Sequence, residues 1–341
     1  MAPKASAYKR HDELLQFSVA DRRKGLFAIA TSVPPMLALL ALTYLTLGTS
    51  LPLTIALEVL CAGFMVRAFV IFHDCGHGSL MPTKRENTIW GVVIGLLVLG
   101  SYHGWKWEHT IHHAHAGDLD ERGVGDVETW TVSEYHKASA IKRLGYRLFR
   151  NPLIMFGLGP ILAMIIQPRL LPAKAPQHVR RNIMLTNFAL VAIFAIVGTV
   201  LGWVPFLLSW APAALLAGSG GVWLFYVQHQ FEDTYWQSGE EWSYADAALK
   251  GSSYLKLPAI LNFFSANIAL HHVHHLNARI PYYNLHAAHN SCEVFKSVPV
   301  LSMMDGVRAT QLKLWDEEKG QLVTFAQARH NFALRARPVP A

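Results

Sequence analysis

Cysteine is scarce in this chain of 341 residues: Cys61, Cys75 and Cys292 are the only three, and none lies at a paired spacing from another. That argues against a disulfide framework and against a zinc ribbon. Charge is scarce as well, with 16% Asp, Glu, Lys and Arg against 52% hydrophobic residues, too apolar for an ordinary soluble domain. The net charge of +7 therefore reads as Lys and Arg gathered on one membrane face, and no nucleic-acid partner is expected. Met1 to Lys24 is polar and basic and lacks a short apolar core with a cleavage site, so no removable signal peptide is expected. Repeats of 20 to 50 residues and low-complexity tracts are also missing. Neither H-E-x-x-H nor E-x-x-H occurs, which removes the zinc metalloprotease pattern and the carboxylate-rich design of soluble di-iron bundles.

Long apolar runs are what the chain has instead. Residues 26–47 and 51–72 are joined by Gly48-Thr49-Ser50, and residues 182–204 and 206–227 are joined at Pro205. A helix of about 22 residues is ~33 Å long, enough to cross a hydrocarbon layer of about 30 Å. Residues 88–101 and 152–167 are apolar but too short to cross, and both have Lys or Arg at each end. They read as in-plane or re-entrant segments. Arg67 is the only basic residue between Gly25 and Pro82, and none lies between Asn182 and Phe231. The positive-inside rule then puts both termini on the cytoplasmic side. The expected architecture is an all-α integral membrane protein of four transmembrane helices and two short segments, with a cytoplasmic helical cap. Amphipathic helices are expected from about residue 293, and residues 1–341 are read as a single domain.

Histidine is the second abundance. The pattern H-x-x-H-H occurs at His109-Thr110-Ile111-His112-His113 and again at His271-His272-Val273-His274-His275. On a helix, positions i, i+3 and i+4 share a face, so each copy can aim three imidazoles at one point. His73-Asp74-Cys75-Gly76-His77 adds two more at i and i+4. Neutral imidazole suits iron, zinc, copper and nickel, and eight such ligands are too many for one ion. Iron best fits oxygen chemistry beside a bilayer. The three clusters can meet only if an even number of crossings separates them, which supports four spans with the clusters on the cytoplasmic side. Isolated His11, His178 and His330 are read as structural, and His103 and His115 as structural or supporting residues. Asp74, Asp118 and Asp126 either accept hydrogen bonds from ligand imidazoles or cap helices. Trp105 and Trp107 belong to an interfacial belt or to the wall of a substrate channel.

His73-Asp-Cys-Gly-His77-Gly-Ser79, Trp105-Lys-Trp-Glu-His109-Thr-Ile-His-His113 and His271-His-Val-His-His275-Leu-Asn-Ala-Arg-Ile-Pro281-Tyr-Tyr-Asn-Leu285 resemble the three histidine boxes of membrane fatty acid desaturases. The resemblance spans about residues 50–290, leaving 291–341 as a tail, and is closest to the bacterial-like acyl-lipid omega-6 or delta-12 branch. It implies two iron ions held by His73, His77, His109, His112, His113, His271, His274 and His275, with His229 as a ninth ligand from Gln228-His229. An asparagine that holds a metal-bound water in animal relatives is replaced by Phe225; Asn267 and His272 are the alternatives. The implied reaction uses O2 and two electrons to place a cis double bond in a fatty acyl chain, most simply that of a membrane lipid. No flavin or dinucleotide fingerprint and no fused cytochrome b5 heme motif occurs, so an external ferredoxin or cytochrome b5 donor is expected. The implied location is the bacterial inner membrane. The rivals are a di-iron hydroxylase or ketolase acting on acyl, sphingolipid or carotenoid substrates, and a histidine-rich metal transporter.

Overall fold

The computed structural model describes residues 12–335; His11 and the last six positions lie outside the described residues. The first apolar run becomes α1 (Arg22–Ala30) and α2 (Val33–Thr46), which together form one candidate span, Arg22–Thr46. Pro34 and Pro35 stand in the first turn of α2, where their missing N–H groups cost nothing. Gly48, at φ +78°, turns the chain into α3 (Leu51–His77). This helix runs five residues beyond the apolar run and so carries His73 and His77 on its last two turns. Gly78 ends it in a left-handed conformation, and the Gly78 and Ser79 N–H groups donate to the carbonyls of Cys75 and Asp74, closing the helix immediately after its second histidine.

The short apolar segments do not cross as straight helices. α4 (Lys84–Leu97) starts with a Thr83/Glu86 capping box and α5 (Tyr102–His115) follows it at a bend of 102°. After β1 (Trp130–Thr131), α6 (Val132–Lys137) and α7 (Ala140–Phe149), the run 152–167 forms two wide-turned helical pieces, Ile154–Leu158 and Ile161–Ile166, bent by 60° from α7. Pro152, Pro160 and Pro168 explain the irregular turns, because each removes a backbone donor. α8 (Gln177–Leu201) and α9 (Trp203–His229) complete the long helices, joined at Gly202. Four helices are thus long and apolar enough to cross a membrane, or six if each bent pair counts as one span.

Leu45, Phe188, Val191 and Val200 point outward from these helices, the arrangement expected where the surrounding medium is hydrocarbon. The buried core is centred on α3, which packs against α2, α4, α5, α9 and α11 (defined below). The remaining chain forms α10 (Tyr244–Lys250), β2 (Tyr254–Leu255), α11 (Ala259–Phe264), α12 (His271–Leu276) and α13 (Leu285–Ser291). β3 (Val300–Leu301), α14 (Met303–Ala309), β4 (Leu314–Asp316), β5 (Gln321–Val323) and α15 (Phe325–Arg335) follow. The protein is mostly helical and membrane-spanning in form, but its cap also contains strands. β1 lies parallel to β4, β4 antiparallel to β5, and β2 parallel to β3. These strands tie the connection after α5 and the connection after α9 to the C-terminal segment.

Candidate metal centre

Nine imidazoles converge where α3, α5, α9 and α12 meet. They fall into two groups: His73, His77, His109, His113 and His274 in one, and His112, His229, His271 and His275 in the other. Within each group the candidate ligand nitrogens all lie within 4.8 Å of one another. Each H-x-x-H-H copy divides between the groups instead of aiming at one point. In α5 the i and i+4 pair, His109 and His113, enters the first group while His112 enters the second; in α12 His271 and His275 enter the second while His274 enters the first. The reason is angular: at 3.6 residues per turn, i+4 lies about 40° to one side of i and i+3 about 60° to the other. Two helices facing each other therefore exchange one histidine each. His113 and His275 stack across the boundary, ring centres 4.1 Å apart.

The ring nitrogens face one another too closely for a self-contained hydrogen-bond network. His113 Nε2 lies 3.1 Å from His109 Nε2 and 3.0 Å from His274 Nε2, and His229 Nε2 lies 3.0 Å from His271 Nε2. His77 Nε2, His112 Nε2 and His275 Nε2 are buried with no hydrogen-bond partner. A neutral imidazole has one donor and one acceptor nitrogen, and each buried orphan costs about 1–3 kcal/mol. Protonation does not relieve this, since burial and neighbouring histidines hold His271, His274 and His275 well below the ordinary imidazole pKa. Neutral rings with converging lone pairs are the donor set of a transition-metal cation. The residues fit a metal centre in both groups.

Supporting contacts fix several rings. Asp74 lies 3.2 Å from His73 Nδ1 and its other oxygen accepts from the Tyr282 N–H at 2.8 Å, tying α3 to the chain after α12. Asp126 pairs with His112 Nδ1, and the Gly251 carbonyl lies 3.1 Å from His229 Nδ1. Such partners hold Nδ1 and leave Nε2 for a metal. Asp118 instead lies 3.9 Å from His115 Nδ1, and neither His115 nor His103 joins either group. Trp105 packs against the centre: its ring stacks on His109 at 4.3 Å and touches His73. Gly76 admits it, since a Cβ there would stand 2.5 Å from the indole. Phe225 packs against His112 and His229. Of the two polar alternatives, His272 pairs with His289 at 2.9 Å and Asn267 reaches the Tyr282 carbonyl at 3.5 Å.

Arg150 is a residue that flanking charge alone does not single out. It is fully buried and donates to the carbonyls of Glu128 and Leu312, to Thr129 Oγ1, to Tyr226 OH and to Gln230 Oε1. It thereby clamps the end of α9, where His229 sits, to β1 and to the C-terminal segment.

Residues 49–295 match the family described as fatty acid desaturase. The chain belongs to that family. It is 44% identical over 318 residues to a fatty acid desaturase of Bacillus subtilis (strain 168), covering 93% of this chain and 90% of that protein. It is also 28% identical over 233 residues to the sn-1 oleoyl-lipid 12-desaturase of Synechocystis sp., covering 66% of this chain and 64% of that relative. A third relative is the sn-1 acyl-lipid omega-3 desaturase (ferredoxin) of the same organism, 28% identical over 235 residues, 64% of this chain and 62% of the relative. The protein is an oxidoreductase of lipid metabolism, and the family implies a lipid substrate.

Proposed function

We propose that the protein is an acyl-lipid desaturase of the delta-12 or omega-6 type, converting a methylene pair of a fatty acyl chain into a cis double bond with O2 and two external electrons. One iron would be held by His73, His77, His109, His113 and His274, and the second by His112, His229, His271 and His275. The observation that carries this reading is the convergence of nine buried histidines as groups of five and four within a chain of the desaturase family. When bound, the two irons supply the O2-dependent oxidising power that no side chain has. The protein's share is to keep the His271, His274 and His275 rings neutral through burial, to fix ring orientation through Asp74, Asp126 and the Gly251 carbonyl, and to wall the centre with Trp105 and Phe225. Methylenes along an acyl chain are chemically alike, so position selectivity must come from where the surrounding helices hold the chain.

The 12-desaturase relative and the Ile280-Pro281-Tyr282-Tyr283-Asn284-Leu285 continuation of the third box support the delta-12 assignment. Of the two donor types, ferredoxin and cytochrome b5, a ferredoxin-type donor is supported by the ferredoxin named for one relative. A bacterial inner membrane is supported by the bacterial relatives, and a cytoplasmic side for the histidines and both termini by the Lys and Arg distribution. The test is gas chromatography with mass spectrometry of total lipids from a host expressing the chain, beside one expressing His274→Ala. A dienoic acid bearing a new double bond at carbon 12, made only by the intact chain, is the expected result. A hydroxylated or ketolated product with unchanged acyl unsaturation would overturn the desaturase reading, and a double bond elsewhere would overturn the delta-12 assignment.

A further inference from the structure

Helix α7 is amphipathic in the opposite sense from a helix that covers a core. Tyr146 is buried and Arg150 follows it inward, whereas Ile141, Leu144 and Leu148 are 83%, 58% and 49% exposed. Residues three and seven apart share a face, so these three make one apolar stripe pointing away from the protein. It continues through exposed Leu153 and Leu158 into the two helical pieces that lie along α9, a helix long enough to cross the membrane. An outward apolar stripe with Lys and Arg beside it belongs in the boundary between lipid headgroups and acyl chains.

Beside that stripe, where α6, α7 and α15 meet, lies a cavity of about 300 Å³ lined by Tyr135, His136, Arg143, Leu144, Arg147 and Arg329, with no carboxylate among its lining residues. Among the described residues no Asp or Glu forms an ion pair with Arg143, Arg147 or Arg329. The cationic wall is held in shape. Arg147 Nε donates to Tyr135 OH at 2.5 Å, its guanidinium lies 4.6 Å over the Phe325 ring, and His136 stacks on Phe332 at 3.7 Å. Leu144 belongs both to the cavity lining and to the exposed stripe, so the basic cavity opens directly onto the lipid-facing surface. We propose that this cavity binds the phosphate of an anionic phospholipid whose acyl chains lie along Ile141, Leu144 and Leu148. A zwitterionic headgroup would bring its own cation against three guanidiniums, so the site discriminates by charge. None of its residues belongs to either histidine group.

The test uses the purified full chain in detergent micelles, followed by tryptophan fluorescence on heating, with phosphatidylglycerol, phosphatidylcholine or inorganic phosphate added. Phosphatidylglycerol should raise the melting temperature saturably, at a concentration at least about 10-fold below that needed for phosphatidylcholine. Arg143→Gln with Arg329→Gln should weaken the phosphatidylglycerol effect about 10-fold or more while leaving the lipid-free melting temperature unchanged, since Arg329 is exposed, Arg143 is half-buried, and Gln keeps most of each side chain's apolar stem. Leu144→Ser with Leu148→Ser should weaken the lipid effect and leave any phosphate effect intact. Native mass spectrometry gives a second reading: one retained phosphatidylglycerol in the unaltered chain and none in the arginine variant. Equal response to phosphatidylcholine, or an arginine variant that binds as the unaltered chain does, would overturn the anion site. Inorganic phosphate acting at the same concentration as phosphatidylglycerol, with the leucine variant unaffected, would overturn the lipid as its source.

Discussion

Replacing Asp126 with Ala should weaken metal binding in the four-histidine group and spare the five-histidine group. The Asp126 carboxylate is the partner of His112 Nδ1, and the His112 side chain is wholly buried with Nε2 otherwise unpartnered. A hydrogen bond to a charged partner contributes about 1.5–3 kcal/mol. Losing an outer partner of a ligand histidine costs about 10- to 100-fold in metal affinity, or about 1.4–2.7 kcal/mol, and the two figures agree. The loop cannot easily supply a substitute. Gly125, at φ +75°, runs so close to α5 that a Cβ there would stand 3.0 Å from His112 Cβ and 3.2 Å from the Glu108 carbonyl. The assay is iron retention by the loaded chain against increasing chelator. The unaltered chain should lose its two irons over similar ranges, whereas Asp126→Ala should lose one at about 10- to 100-fold less chelator and keep the other. An equal shift of both irons, or no shift, would refute the assignment of His112 to a separate group. Asp126→Asn keeps an acceptor oxygen without the charge and should fall between the two.

Three further outcomes follow from individual contacts. Gly76→Ala places a methyl against the Trp105 indole, which should cost about 1–3 kcal/mol in stability and reduce product formation by disturbing the ring stacked on His109; normal melting and activity would refute the role given to Trp105. Arg150→Met leaves the Glu128 carbonyl without its buried donor and removes one of two donors from the Leu312 carbonyl and from Gln230 Oε1, for a loss of about 1–3 kcal/mol or roughly 1–4 °C in melting temperature; an unchanged melting temperature would mean that the clamp is not needed. Burial and the neighbouring Arg150 cation pull the Lys313 ammonium from its ordinary 10.5 down to about 7. The unfolded chain therefore holds one more proton between about pH 7 and 10.5, and stability should rise with pH across that window. Lys313→Met should flatten the rise in melting temperature between pH 7 and 10, and an unchanged slope would contradict the burial of the cation.

The long helices were legible because about 22 apolar residues admit few other readings, and the structure lengthens these runs by only a few polar residues at the histidine end. The short runs 88–101 and 152–167 were legible as too short for straight spans for the same reason of length, and they occur within bent helix pairs. The strands were not legible: β1 to β5 have two or three residues each, too few for an alternating pattern to register. The nine histidines could be gathered from motif and resemblance, yet their division into five and four could not, because it depends on the angle at which α5 faces α12. Asp74 and Asp126 were distinguishable from Asp118 only once the loops after α5 and α12 were placed. Arg150 illustrates the same limit, since in sequence it is one of several basic residues beside an apolar run. Only the fold reveals that it points inward.

The most direct test of the central claim is the metal content of the purified full chain, measured by mass spectrometry of the elements together with protein concentration. Two irons per chain are predicted, falling to about one in His229→Ala, which removes a ligand from the four-histidine group alone. Zinc in place of iron, a single iron in the unaltered chain, or two irons retained in His229→Ala would contradict a di-iron centre built from two separate histidine groups.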